Sequence, residues 1–183
     1  KTNNMNVLLV ATTKDQMKDH TNTLVSSGLT PGIIDAEALA VANVFALNTY
    51  VEEGVYIILN VGAHRTNMVV FGPKSKFFSR DIDFGGFHFT KDIMKSRNIT
   101  FEEAEKFKFE FGLKGPEIQT QTLSLSTLDI SEKATEESLA LEVKRSLRFY
   151  VKEAGNSDFK KVLLIGGGSK LKGLPEFLTE NLN

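Results

Sequence analysis

Apolar residues recur along the chain in short blocks whose period switches between two and about 3.6, and this switching predicts alternating strands and helices. Val7-Leu8-Leu9-Val10 is a continuous apolar run of strand length. Thr13 then stands where a helix N-cap belongs, with Gln16 at the offset of a capping box. Met17, Leu24 and Val25 share one face of that helix, and Gly28 stops it. Ile33-Ile34, after Pro31-Gly32, reads as a second short strand. Asp35 reads as the cap of a helix from Ala36 to Leu47, whose Leu39, Ala42, Phe45 and Ala46 fall at inward-facing spacing.

Three strands in succession come next. Val55 to Val61 is apolar, Gly62-Ala63-His64-Arg65 turns, and Asn67 to Phe71 returns. Gly72-Pro73-Lys74-Ser75 turns again into a strand from Lys76 to Phe84. Tight turns between consecutive strands predict an antiparallel meander. After Gly85-Gly86 the pattern predicts helices over 87–97 and 101–111, the second capped by Thr100 with Glu103 at box spacing. Residues 113–136 lose the periodicity, hold no aromatic residue and read as a long loop, with Leu123 and Leu125 in at most a short strand. Periodicity returns in a helix over 137–154 and a strand from Lys161 to Ile165. The loop Gly166-Gly167-Gly168-Ser169 then leads into a helix from Leu171 to Leu182. The sum is an α/β fold with a mixed sheet.

Composition narrows the function classes. The 183 residues carry 22 Lys and Arg against 23 Asp and Glu, and this balance argues against a general nucleic-acid binder. With no cysteine there is no disulfide frame, thiolate nucleophile or cysteine-based metal site. No apolar run approaches the roughly 20 residues of a membrane-spanning helix. The chain begins at Lys1 rather than at a methionine, which points to a piece of a longer protein. Ten of its 14 phenylalanines fall between Phe71 and Phe111, and core packing is the expected reason.

Three stretches could carry chemistry. In Asn60-Val61-Gly62-Ala63-His64-Arg65-Thr66, a small-residue turn between strands could present backbone N–H groups to phosphate, with the Thr66 hydroxyl as a further donor. A plain hairpin would ask for the same glycine. In Gly166-Gly167-Gly168-Ser169, a strand–glycine–helix passage could lie flat against a ligand, although the spacing matches neither a P-loop nor a dinucleotide fingerprint. A flexible turn explains it equally well. Glu105 and Lys108 are three apart and share a helix face, either as an ordinary surface ion pair or as part of a site. His20, His64 and His88 have no metal-ligand spacing, and no nucleophile elbow is present.

The order of these stretches resembles that of actin-like ATPases, and most closely the PilM family of type IV pilus assembly proteins. The resemblance rests on Ile34-Asp35-Ala36-Glu37-Ala38-Leu39-Ala40, Leu59-Asn60-Val61-Gly62-Ala63, and Phe78-Ser79-Arg80-Asp81-Ile82 with Gly85-Gly86 and Thr90. It rests also on Ala104-Glu105 with Lys108 and Gly112, and on Gly166-Gly167-Gly168-Ser169 with Leu171 and Gly173-Leu174. FtsA-like cell-division proteins and GspL-like type II secretion proteins are similar at greater distance.

The resemblance implies an actin-like, ribonuclease H-like fold in which residues 1–47 are the remnant of a first lobe and its inserted subdomain. Residues 48–183 would form the second, nucleotide-binding lobe, with a small helical subdomain at about 87–136. It implies ATP or ADP with Mg2+ as ligand. Gly62, Ala63 and Thr66 would lie at the phosphates, Gly167, Gly168 and Ser169 beside the adenosine, and Glu105 and Lys108 near ribose and adenine. Family members often carry Asp where this chain has Asn60, so no catalytic residue is assigned and hydrolysis is expected to be weak or absent. The family's first phosphate loop, D-x-G, is absent, as is most of the surface that docks the partner. The resemblance further implies a cytoplasmic scaffold held at the inner membrane by the cytoplasmic peptide of a PilN-like partner, the alternatives being an FtsA-like or GspL-like actin homologue or a nucleotide-free interaction module. Self-association is possible, with neither nucleic acid nor a membrane span of its own.

Overall fold

The computed structural model describes residue 5 and residues 7–49, 51–115 and 134–182. Helices α1 (Lys14–Ser26) and α2 (Glu37–Asn48) lead into strands β1 (Val55–Val61), β2 (Thr66–Phe71) and β3 (Phe78–Ile82). Helices α3 (Gly86–Arg97), α4 (Phe101–Phe111) and α5 (Thr135–Ala154) follow, then β4 (Phe159–Ile165) and α6 (Leu174–Leu182). Short 3-10 turns lie at Gly112–Lys114 and Gly167–Lys170.

The sheet has the order β3-β2-β1-β4. β1–β2 and β2–β3 are antiparallel, as the meander predicts, whereas β4 joins β1 in parallel. A parallel neighbour needs a crossover, and α5 supplies it. Alternation along β1 sorts its side chains to two faces. Val55, Ile57, Leu59 and Val61 enter the larger core with Leu139, Val143 and Tyr150 of α5 and Leu174 and Leu178 of α6. Ile58 points the other way and meets Val69 and Ala42 of α2. Buried on both faces, β1 is apolar at every position but one, Asn60.

Several boundaries differ from the sequence expectation. Val7–Val10 and Ile33–Ile34 are not strands, and Val7, Leu8, Leu9, Val10, Ile33 and Ile34 are all exposed. A strand needs a hydrogen-bonding neighbour, and the described sheet offers them none. Thr13 caps α1 by accepting from the Gln16 N–H, but the Gln16 side chain accepts from Thr12 and closes no capping box. Ala36, not Asp35, is the N-cap of α2; the Asp35 carboxylate accepts from the Ala36 N–H. On α2 the sheet-facing residues are Ala38, Val41, Ala42 and Phe45, while Ala46 is exposed. The capping box of Thr100 and Glu103 forms as expected. β3 is shorter than Lys76–Phe84, and α6 starts three residues late because the 3-10 turn precedes it. Most of the predicted 113–136 loop, with Leu123 and Leu125, lies outside the described residues.

Candidate functional site

Three elements end beside one another at one end of the sheet. β1 runs into the turn Gly62–Arg65, which the Gly62 N–H closes by donating to the Arg65 carbonyl at 2.8 Å. The first two amides of α3 dock on that turn: Gly86 N–H donates to Gly62 O at 2.9 Å and Phe87 N–H to Ala63 O at 2.7 Å. A Cβ on Gly85 would lie 2.7 Å from three backbone atoms of the turn, so this corner requires glycine for close approach. β4, parallel to β1, ends at the same level and delivers the triple-glycine passage.

These elements, with α4, surround a cleft of about 420 Å3. Gly62 and Ala63 line it from the turn, Gly86 from α3, Glu105 and Lys108 from α4, and Gly167 and Gly168 from the passage after β4. Residues up to 109 positions apart in sequence (Gly62 and Leu171) thus share one concavity, a shape suited to a small molecule.

The three consecutive glycines do different work. Gly166 has φ +83°, and a Cβ there would meet Asn60 Oδ1 at 2.5 Å and Val61 O at 2.6 Å. On Gly168 a Cβ would meet Val61 Cγ1 at 2.4 Å. Both serve the packing of this passage on β1. Gly167 has no atom within 4 Å of its would-be Cβ and faces the cleft. No protein contact requires glycine there, and bare backbone is what close approach by a ligand would use.

A polar cluster forms another wall. Lys108 Nζ donates to Gly86 O at 3.1 Å, to Thr90 Oγ1 at 2.6 Å and to Glu105 Oε1 at 2.5 Å. Thr90, fully buried, also contacts Glu105 Oε1 through its hydroxyl. Partial burial raises the Glu105 pKa, but hydrogen bonds from Lys108 and Thr90, together with the Lys108 charge, outweigh it and hold the carboxyl below its usual range. The pair is therefore a fixed ionic feature of the cleft and not a loose surface contact.

Three residues of interest are occupied elsewhere. The Thr66 hydroxyl donates to Phe84 O at 2.7 Å, and the residue is completely buried outside the cleft lining. Ser169 Oγ donates to Gly166 O at 2.7 Å and faces the separate groove of about 590 Å3 between β4 and α6. Asn60 Nδ2 donates to Glu37 Oε1 at 2.6 Å, which ties β1 to α2. Asn60 pairs across the sheet with Asn67, which in turn donates to Asp81 at 2.7 Å.

Sequence reasoning assigned no site role to His64, Gly86, Phe87, Phe101, Phe109, Lys170 or Leu171, all of which line the cleft. The helical spacing of Phe101, Glu105, Lys108 and Phe109 was the available signal. The aromatic cluster accordingly divides. Phe71, Phe77, Phe78, Phe84 and Phe89 pack on the two cores, whereas Phe87, Phe101, Phe109 and Phe111 are exposed. Core packing explains only part of it.

The model of the family "Type IV pilus assembly protein PilM" matches residues 1–183. The chain belongs to this family. Among solved structures, it is similar to the PilM–PilN type IV pilus biogenesis complex at 25% identity and TM-score 0.69, covering 91% of this chain and 45% of that one. The ethanolamine utilization protein EutJ from Carboxydothermus hydrogenoformans is similar at 22% identity and TM-score 0.61, covering 88% and 52%. An archaeal actin homologue in complex with ADP is similar at 17% identity and TM-score 0.51, covering 81% and 50%. The fold is actin-like, and the chain spans about half the length of these structures. Among the described residues no helix is long and apolar enough to cross a membrane.

Proposed function

We propose that this PilM-family chain is the nucleotide-binding part of a cytoplasmic scaffold in the inner-membrane platform of a type IV pilus. The observation that carries the reading is the cleft itself, where Gly62-Ala63, Gly86, Glu105-Lys108 and Gly167 converge and Gly167 faces open space. That open glycine suits an adenine nucleotide, because it leaves room against bare backbone that the protein does not fill. Gly167 and Gly168 would lie along the adenosine, with Glu105 and Lys108 at its ribose and adenine. Gly62 and Ala63 would border the phosphates. Thr66 and Ser169 would shape the two turns through their bonds to Phe84 and Gly166. Residues 1–47 would belong to a first lobe and 48–183 to the second, with α3 and α4 as its helical subdomain.

Among the described residues there is no group of three or more His, Asp or Glu placed to hold a metal. Mg2+ would therefore enter with the phosphates, which commonly supply much of its coordination. Asn60, bonded to Glu37 and neutral, offers no carboxylate to a metal or an attacking water. This favours nucleotide as a conformational ligand over turnover, with closure of the lobes changing affinity for a PilN-type cytoplasmic peptide.

Titration of the full chain with Mg-ATP by calorimetry tests the reading. Saturable heat is expected, and none at sub-millimolar protein removes nucleotide from the account. Capture by an immobilised PilN-type peptide should change between nucleotide-free and ATP-loaded protein; equal capture removes the scaffold switch.

A further inference from the structure

We infer that the outer face of α5 is a peripheral membrane contact that takes anionic lipid headgroups, a direct hold on the bilayer beyond the peptide tether proposed above. α5 packs on the sheet through Leu139, Val143 and Tyr150, all of them buried. Helical period then sets what the opposite face carries. Leu141, Arg145, Arg148, Phe149 and Lys152 stand at i, i+4, i+7, i+8 and i+11, and each is exposed. They form a stripe about 16 Å long at the helical rise per residue. None of them lines the cleft, so the stripe is a surface separate from the nucleotide site.

The stripe concentrates positive charge in a chain that has no excess of it. The whole sequence has a net charge of −1, yet Leu141 to Lys152 hold four cations and one carboxylate. That carboxylate, Glu142, is already neutralised: it accepts from Arg145 at 2.6 Å and from Arg80 of β3 at 3.1 Å. Arg148 Nε donates to the Lys144 carbonyl at 3.4 Å and makes no ion pair among the described residues. Lys144 and Lys152 have neither a hydrogen bond nor an ion pair there. Glu137 precedes the stripe and Glu153 follows it.

Two large apolar groups sit among these cations. Phe149 rests on Phe78 at a ring separation of 5.9 Å and is still 52% exposed, and Leu141 is 37% exposed. Cations interleaved with a phenyl and an isobutyl group suit an anionic bilayer surface, where the cations meet phosphate oxygens and the apolar groups enter the shallow acyl boundary. A partner helix suits it less. Its seam would follow Leu141, Arg145, Arg148 and Lys152, at spacings of four, three and four, and would bury a charge at three of those positions.

Sedimentation of the full chain with vesicles tests the contact, using phosphatidylcholine alone and an equal mixture of phosphatidylcholine and phosphatidylglycerol. Binding is expected to the anionic vesicles only, and it should fall as salt screens the exposed charges. Arg148→Gln combined with Lys152→Gln removes two unpaired cations and should weaken binding about thirtyfold. Phe149→Ala should weaken it severalfold. Lys14→Gln with Lys18→Gln, two exposed cations of α1, should leave it within about twofold. The chain has no tryptophan, so Phe149→Trp places one indole on the stripe, and its emission should shift to the blue with anionic vesicles alone. Binding to both kinds of vesicle alike, or to neither, overturns the inference, as does unchanged binding by the Arg148 and Lys152 variant. Equal loss in the α1 variant also overturns it, since the attraction is then general charge. Capture by an acidic peptide without vesicle binding assigns the stripe to a protein partner instead. Every outcome is read without nucleotide, so none depends on whether the cleft binds ATP.

Discussion

The two glycine-bearing turns that face each other across the cleft look alike in sequence and differ in use. The turn after β1 is saturated by the protein itself. Its Gly62 N–H closes the turn, its Gly62 and Ala63 carbonyls accept the first amides of α3, and Gly85 packs flat upon it. The turn after β4 spends Gly166 and Gly168 on contacts with β1 and leaves Gly167 free. A glycine at a turn is thus either a building requirement or an open place for something else, and only its neighbours tell which.

Substitutions can break or sharpen this contrast. The largest effect is expected at Gly166, where alanine adds left-handed strain to a clash with Val61 O; a loss of about 3 kcal/mol is expected by urea denaturation. Gly85→Ala, unstrained but driven against backbone of the other turn, should cost about 2 kcal/mol by the same measurement. Thr66→Val removes the donor to the carbonyl of the half-buried Phe84 and should cost about 1–2 kcal/mol, with nucleotide affinity of the folded protein unchanged. A changed affinity would return Thr66 to the ligand. Gly167→Ala should leave stability within about 0.5 kcal/mol, because nothing crowds the position, yet weaken ATP binding severalfold in calorimetry. Were it to destabilise like Gly166→Ala, the contrast between the two positions would be lost.

The smallest effect concerns pH. The folded-state pKa of Glu105 is depressed, so its stabilising contribution is complete above the unfolded value near 4.5 and is lost as pH falls through the lower folded value. The side chain is 42% exposed, and solvent screening keeps the effect small. Wild type should lose slightly more stability than Glu105→Gln on acidification below that value. Parallel melting-temperature profiles would show the Glu105 ion pair to be inert.

Much of the architecture was legible because it is written in local patterns. The meander, α3, α4 and the Thr100–Glu103 box follow from turn residues and periodicity. The parallel placement of β4 beside β1 did not follow, since a pairing such as Asn60 with Ile165, 105 residues on, has no local signature. Nor did the fates of two similar apolar runs. Val55–Val61 is buried at the centre of the sheet, while Val7–Val10 lies exposed and unpaired among the described residues. Of the site, Gly62, Ala63, Glu105, Lys108, Gly167 and Gly168 do share one cleft, whereas Thr66 and Ser169 are turned away by hydrogen bonds that spacing alone does not reveal.

By itself, then, the sequence determined which segments could be strands or helices, where turns had to fall, and that the chain carries the motif order of the PilM family. Those properties depend on backbone sterics and side-chain period, which act over a few residues. The tertiary structure alone decided which glycine is open, which hydroxyl is spent and which phenylalanine stands in water. Each of those depends on what distant segments bring within a few ångströms, and no residue carries that information alone.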